Sequence, residues 1–289
     1  MRIKAPTRKQ VAQALGFLAV RVCLGLVLAV LIVILYDIVR KGAGTISWEF
    51  ISRAPRRGMT EGGIFPAIFG TLLVTMVTAV LAVPLGMFTA IYLNEYARQS
   101  RLTRIIRLAI RNLSGVPSIV YGLFGVVLFV NILSFGTSIL SAGLTLGLLT
   151  LPWTITASEE ALKTVPNSYR EGALALGATK WQSIRTNVLP YAVPGMLTGT
   201  VLGLARAAGE TAPIMFTGAA FSYPILPKSL GDQFMALPYH LYIMATQHHD
   251  IAKVRPLAYG TALVLILFVL GMNMTAVIVR SRLRRRRRF

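Results

Sequence analysis

Six apolar runs, each long enough to cross a lipid bilayer, occupy most of this 289-residue chain and leave little room for a soluble fold. A helix rising about 1.5 Å per residue needs ~20 mostly apolar residues to cross the hydrocarbon layer. The runs lie at Ala14–Tyr36, Ile64–Leu93, Leu113–Leu133, Thr137–Ala157, Val188–Gly218 and Leu257–Val279. Inside lipid every backbone N–H and C=O has to be satisfied within the protein, so the runs are expected as helices and the fold as an all-α integral membrane protein. The first run follows Arg2, Lys4, Arg8 and Lys9. It exceeds the apolar part of a signal peptide and no small-residue cleavage site follows Tyr36, so it reads as an uncleaved signal-anchor. Residues 1–63 then hold the N-terminus, first span and outer loop, residues 64–280 a five-span core, and residues 281–289 a basic tail.

Composition narrows the class further. Charged residues make up 14% of the chain and hydrophobic ones 55%, against roughly 25% charged in an ordinary soluble domain. The mean hydropathy is +0.65. The 30 Lys and Arg outnumber the 10 Asp and Glu, for a net charge of +20. A nucleic-acid binder can carry that charge but not this apolar content, so no nucleic-acid partner is expected. The single Cys23 excludes a disulfide scaffold and Cys-rich zinc sites. In a membrane protein, charge encodes topology instead. The N-terminus, Asn94–Asn112, Ser158–Asn187 and the tail from Arg280 hold 20 Lys and Arg, whereas Asp37–Gly63 and Ala219–Pro256 hold eight. The positive-inside rule therefore puts both termini in the cytoplasm. Arg21 lies near the inner end of its span, where its stem can snorkel to the interface. Pro84, Pro117, Pro152, Pro194 and Pro213 are expected to kink their helices, as suits a bundle around a path or an ordinary static bundle.

The inner segment Ser158–Pro190 reads as two short helices hinged at a glycine. Ser168 with Glu171 three residues on predicts a capping box and a helix from about Tyr169 to Leu176. Gly177 stands at the C′ position, where a left-handed turn costs glycine least. Thr179 with Gln182 repeats the box and starts a second helix leading into Leu189 and Pro190. Tyr169, Ala173, Leu174 and Leu176 give the first helix an apolar surface, which fits a groove on another protein, the membrane surface, or the chain's own bundle. No G-x-x-x-x-G-K-S/T phosphate loop occurs, so if ATP drives this chain another subunit binds it.

The fifth run carries Arg206 and Glu210, four residues apart and therefore on one helix face. An ionisable residue within a span is costly and is a functional candidate; the alternative is a structural ion pair holding helices in register. Counted from Pro190 at about 1.5 Å per residue, Arg206 sits roughly 24 Å along the span, towards its outer half. In the functional reading the guanidinium attracts an anion, and Glu210 positions it while keeping the hold weak enough for release.

Several stretches resemble one family. Glu171-Gly172-Ala173, Gly177 and Leu189-Pro190 fall at the spacing of the EAA loop of ABC-importer permeases. Gly172 stands where that family usually has Ala, which should loosen the first helix by about 1 kcal/mol, and Asn187 stands where Ile is usual. ARAAGETAPIMFTG in the fifth run is similar to the signature of PstA-type phosphate importer permeases. LSGVPSIVYGLFG from Leu113 resembles the third span of that type, GGIFPAIFGTLLVT from Gly62 its second, and FISRAPRRGMTEGG from Phe50 its outer loop. The resemblance implies a type I ABC importer (MetI-like) permease bundle of six helices in the bacterial inner membrane, a transporter subunit and not an enzyme. It implies that the EAA residues couple to an ATPase, which binds ATP and Mg, so that this chain holds no cofactor. The implied partners are a PstC-type permease, two PstB-type ATPase subunits and a PstS-type phosphate-binding protein. Ser114, Ser118, Tyr121 and Thr211, polar residues of the signature stretches, either line the path with Arg206 and Glu210 or bond a neighbouring helix backbone. Glu210 can in principle accept a hydrogen bond from the proton that phosphate carries and sulfate lacks. A permease for sulfate or molybdate is the alternative within the class, and a membrane-embedded enzyme the rival outside it.

Other features carry less. His248-His249-Asp250 lack further ligands of suitable spacing, so no metal site is expected. No G-x-S-x-G or nucleophile–base set supports a hydrolase. The tail RSRLRRRRRF, directly after a span, suits membrane lipid better than nucleic acid. Arg53, Arg56 and Arg57 read as solvated outer charge, with attraction of phosphate or of a binding protein as the alternative.

Overall fold

A computed structural model describes residues 8–285. Five helices are long and apolar enough to cross a membrane, and a bent helix pair brings the number to six when the pair is counted as one span. The first crossing is α1 (Arg8–Gly42), whose apolar surface is free of the rest of the chain except near its end. There Lys41 lies 2.7 Å from Asp37, and the Tyr259 hydroxyl donates to Asp37 at 3.2 Å. Gly42 rests on the Tyr259 carbonyl, where a Cβ would come within 2.6 Å. After α2 (Trp48–Ser52), capped by Ser47, comes a hairpin of β1 (Pro55–Arg56) and β2 (Glu61–Gly62).

The central crossings are α3 (Phe65–Ile91), α6 (Ile139–Lys163) and α9 (Leu189–Ala208), and small residues set how closely they pack. Gly195, Gly199 and Gly203, at four-residue steps on α9, face Ala161, Ala157 and Thr150 of α6, so that a Cβ on Gly199 would collide with the Ala157 methyl. This small-x-x-x-small stripe brings two antiparallel backbones together, as expected where lipid supplies no hydrophobic drive between helices. On the other side of α6, the Thr78 hydroxyl of α3 donates to the Gly143 carbonyl at 3.2 Å. One apolar cluster around Ile139, Leu146, Ile214 and Phe234 fills the half of the bundle at the start of α6, and another around Leu162, Val188 and Met196 the half at its end.

Four expectations are corrected by this architecture. The connecting segment Asn94–Asn112 contains a helix, α4 (Arg101–Leu113), which turns through 101° into α5 (Ser118–Gly125) and its π-helical continuation Val126–Ile132. The expected run Leu113–Leu133 is thus a short helix after an elbow, with Pro117 as its N-cap because proline lacks the N–H that a first turn leaves unpaired anyway. The fifth run breaks after Ala208, and a short α10 (Ala212–Thr217) follows with Pro213 in its first turn. The outer segment Ala219–Pro256 is not a plain loop: it holds the buried α11 (Leu237–Thr246) and the start of α12 (Ile251–Arg285). Its backbone carbonyls at Asp232 and Leu230 accept from the N–H groups of Ile139 and Leu140, satisfying first-turn donors of α6. Finally, α6 runs six residues past the expected end at Ala157, to Lys163. Arg2 and Lys4, and the tail residues 286–289, lie outside the described residues.

Candidate coupling loop and translocation site

The segment between α6 and α9 folds as two helices about a glycine. Its first helix, α7 (Asn167–Ala175), starts directly after Pro166, so Ser168 sits inside the first turn and makes no cap. The Ser168 box is therefore absent: Pro166 fixes an extended φ, ψ of −58°, 145° and its carbonyl accepts from Tyr169 N–H at 3.2 Å. Gly177 ends the helix at φ +81°, the left-handed conformation that a side chain disfavours. The second box is present. Thr179 accepts from Gln182 N–H at 3.3 Å while the Gln182 side chain accepts from Thr179 N–H at 2.7 Å. It opens α8 (Lys180–Ser183), which continues through a π-helical turn (Ile184–Val188) into α9 with Leu189 and Pro190 in its first turn. Glu171, Gly172 and Gly177 are exposed and Ala173 is buried. Leu174 and Leu176 point outward at 48% and 91% exposure, an apolar surface without a partner among the described residues.

A residue beside the motif seats this loop. Arg170 reaches Glu95 with Nε at 3.1 Å and Nη2 at 2.7 Å, and also donates to the Val165 and Leu162 carbonyls at 2.8 and 3.1 Å. Glu95 lies in the π-helical turn Tyr92–Tyr96 that ends α3. In the same turn the Leu93 carbonyl accepts from Arg107 of α4 at 2.7 Å, and Arg107 also donates to Glu159 of α6 at 3.0 Å. The end of α3 is therefore tied to α7 by one ion pair and to α4 by a carbonyl hydrogen bond, and a second ion pair joins α4 to α6; both pairs are largely shielded. Neither was read from the sequence, because the partners are 75 and 52 residues apart. The only available signal was a set of acidic residues, Glu95 and Glu159, at the inner ends of apolar runs.

The second candidate site lies at the α9–α10 break. Glycine and a following Glu-Thr-Ala-Pro favour a break, since Pro213 cannot continue the α9 hydrogen-bond ladder. Arg206 is in the last turn of α9 and Glu210 in the break, with Arg206 Nε 3.5 Å from Glu210 Oε1. That contact is an ion pair without hydrogen-bond geometry. The guanidinium also stacks on Trp153 of α6, 5.3 Å from the ring centre, near the mid-length of that helix. Arg206 is half exposed and makes no hydrogen bond among the described residues, so its Nη groups are open. Thr211 begins α10 without capping it. Gly122 of α5 packs on Ala212 and Pro213, which brings α5 against the break, and Ser118 lies one turn before Gly122 on the same face. Tyr121 is buried and its hydroxyl donates to the Leu113 carbonyl at 3.0 Å, while exposed Ser114 reaches Ile110 at 3.5 Å. Elsewhere, both His248 nitrogens are engaged, one with the Gly58 carbonyl at 2.7 Å and one with Asp250 N–H at 3.1 Å. Arg53 and Arg57 pair with Glu49 and Glu61 on the surface, contacts worth less than about 1 kcal/mol.

Residues 82–289 match the family described as binding-protein-dependent transport system inner membrane component. The chain belongs to that family. This inner membrane component is 38% identical over 241 residues to the phosphate transport system permease protein PstA 1 of Mycobacterium tuberculosis, an alignment covering 83% of this chain and 77% of that one. It is 36% identical over 250 residues to the PstA permease of Yersinia pestis, covering 86% and 83%. Both relatives are named as transport permeases and neither as an enzyme, and they bear out the resemblance carried by the span motifs. Among solved structures, a bacterial ABC transporter involved in alginate import superposes with a TM-score of 0.65 at 14% identity, covering 96% of this chain and 99% of that one. At that identity the match shows the fold alone: the inner membrane component is an ABC importer permease bundle.

Proposed function

We propose that the chain is the transmembrane permease subunit of an ATP-driven inorganic phosphate importer. The relatives' names support phosphate over sulfate or molybdate, and the geometry at the helix break supports an anion path. One observation carries the site assignment: a half-exposed guanidinium beside a helix break, held by a single 3.5 Å contact and an aromatic face. Arg206 can exchange Glu210 for an oxyanion without leaving either charge isolated. Thr211 and Ser118 border the same break and supply neutral hydrogen bonds, and Ser114 is reachable from the elbow. Tyr121 shapes the elbow through the Leu113 carbonyl. At the inner end, Glu171, Gly172, Ala173, Gly177, Leu189 and Pro190 form the loop that docks on an ATPase, where ATP and Mg are bound. A PstC-type permease would complete the path, two PstB-type subunits would supply ATP hydrolysis and a PstS-type protein would deliver cargo. Both termini then lie in the cytoplasm, as the arginine distribution favours.

Uptake of phosphate, sulfate and molybdate by the complete transporter in proteoliposomes tests the reading. Phosphate alone is expected to accumulate. Arg206→Gln should lower its uptake by about 10- to 100-fold, the equivalent of one charge-assisted contact. Unimpaired uptake by Arg206→Gln would refute the assignment of the path.

A further inference from the structure

The transport reading leaves α4 without a task. Its 13 residues lie at the coupling-loop end of the bundle and run across α5 rather than along it. The residues sort by face. Leu102, Ile105, Ile106 and Ala109 recur at three- and four-residue steps and are all exposed. Thr103 and Ile110 turn into the bundle. On the opposite flank stand Arg101, Arg104, Arg107 and Arg111. Arg107 is occupied by Glu159 and the Leu93 carbonyl, whereas Arg101, Arg104 and Arg111 form no ion pair among the described residues. Gln99, Ser100, Arg104, Arg107, Leu108 and Arg111 line a cleft of about 310 Å³.

An acidic protein groove would satisfy these arginines but not the apolar stripe on the other flank, and an apolar groove the reverse. An anionic phospholipid layer satisfies both, phosphate oxygens meeting guanidinium groups while the stripe enters the acyl boundary. The inner leaflet is the anionic one, and α4 lies at the end of the bundle that the arginine distribution assigns to the cytoplasm.

We propose that α4 lies in the inner membrane interface and binds anionic phospholipid through Arg101, Arg104 and Arg111, thereby bracing the seat of the coupling loop. The brace runs through Arg107, which joins α4 to Leu93, two residues from the Glu95 that holds Arg170 of α7. The bracing role rests on the permease reading, but lipid binding does not.

The complete importer in nanodiscs tests both parts. A fluorophore on Ile105→Cys, in a Cys23→Ser background, is expected to be quenched by lipids carrying a doxyl group near the glycerol backbone. Absence of quenching, or capture of this position by the partner permease in crosslinking, overturns the placement. ATPase activity stimulated by loaded binding protein should rise several-fold when phosphatidylglycerol is added to phosphatidylcholine. In the Arg101→Gln, Arg104→Gln, Arg111→Gln variant the rate in phosphatidylglycerol should fall to that in neutral lipid, each arginine contributing about fivefold in affinity for an anionic surface. The triple Lys variant should keep most of the rise, which separates charge from folding. An equal rise in the Gln variant, or the same rise when inorganic phosphate is added to the solution around neutral nanodiscs, overturns the lipid assignment. Failure of the permease reading would show differently, as absent phosphate uptake in proteoliposomes with the quenching in nanodiscs intact.

Discussion

Replacing Glu95 with Gln should uncouple ATP hydrolysis from cargo while leaving the bundle folded. Arg170 uses Nε and Nη2 on the Glu95 carboxylate and also donates to two backbone carbonyls. Its side chain is 19% exposed and that of Glu95 only 5%. Removing one partner of a fully buried pair costs about 3–5 kcal/mol, because the other charge is left uncompensated. Here a cleft of about 380 Å³ lined by both residues admits solvent, and this lowers the expected cost to roughly 2 kcal/mol. That is a factor of about 30 in the population of seated α7. The loss falls on the loop, since the glycine seam of α6 and α9 does not involve Glu95. The assay is cargo-stimulated ATPase activity of the assembled transporter in proteoliposomes, with hydrogen exchange of residues 167–176 as the local readout. Glu95→Gln and Arg170→Gln should each abolish most of the stimulation and deprotect α7. The double variant should be no worse than either single one, because the two changes remove the same interaction. Simple additivity, or full coupling and unchanged α7 protection in both singles, would refute the reasoning.

Three further outcomes are expected. Gly177→Ala must place a side chain at φ +81°, costing about 1 kcal/mol or more at the hinge, so stimulated ATPase activity should drop. Gly172→Ala, with open space around its position, should instead stabilise α7 by about 1 kcal/mol and preserve coupling in the same assay. His240 lies in α11, outside the spanning helices, where burial pulls its imidazole down to about 4 and Nδ1 has no partner. The unfolded chain therefore takes up the proton first. Stability should be complete above about pH 6.5 and fall as the pH drops towards 4, by at most roughly 3 kcal/mol, in thermal melts in detergent. His240→Leu should flatten that dependence.

Local chemistry was legible in the sequence where neighbouring residues decide it. Gly177 and the Thr179–Gln182 box are fixed by a few adjacent dihedrals and hydrogen bonds, and both stand where their pattern puts them. Ser168 shows the limit of the same rule: Pro166 starts the helix two residues sooner and leaves the pattern without its geometry. The α4 helix was hidden by its own composition, since four arginines among its 13 residues read as a charged connection when only long apolar runs are sought. Its arginines recur every three or four residues, with apolar positions between them, and that helical period was there to be read. The break after Ala208 was implied by Gly209 and Pro213 but was masked by the apolar length of the run. The pairs Arg170–Glu95 and Arg107–Glu159 depend on which helix ends meet, and no local pattern states that.

The glycine stripe of α9 has a mechanical meaning. Gly195, Gly199 and Gly203 press one backbone against another with almost no side chain between them, and the coupling loop joins the ends of those two helices. Helices so closely stitched resist rolling or sliding past each other, so α6, the loop and α9 move as one stiff hairpin. A push delivered at the loop then travels undiminished to the first place where the hairpin's stiffness fails. That place is the unwound step at Gly209, and Arg206 sits at its edge.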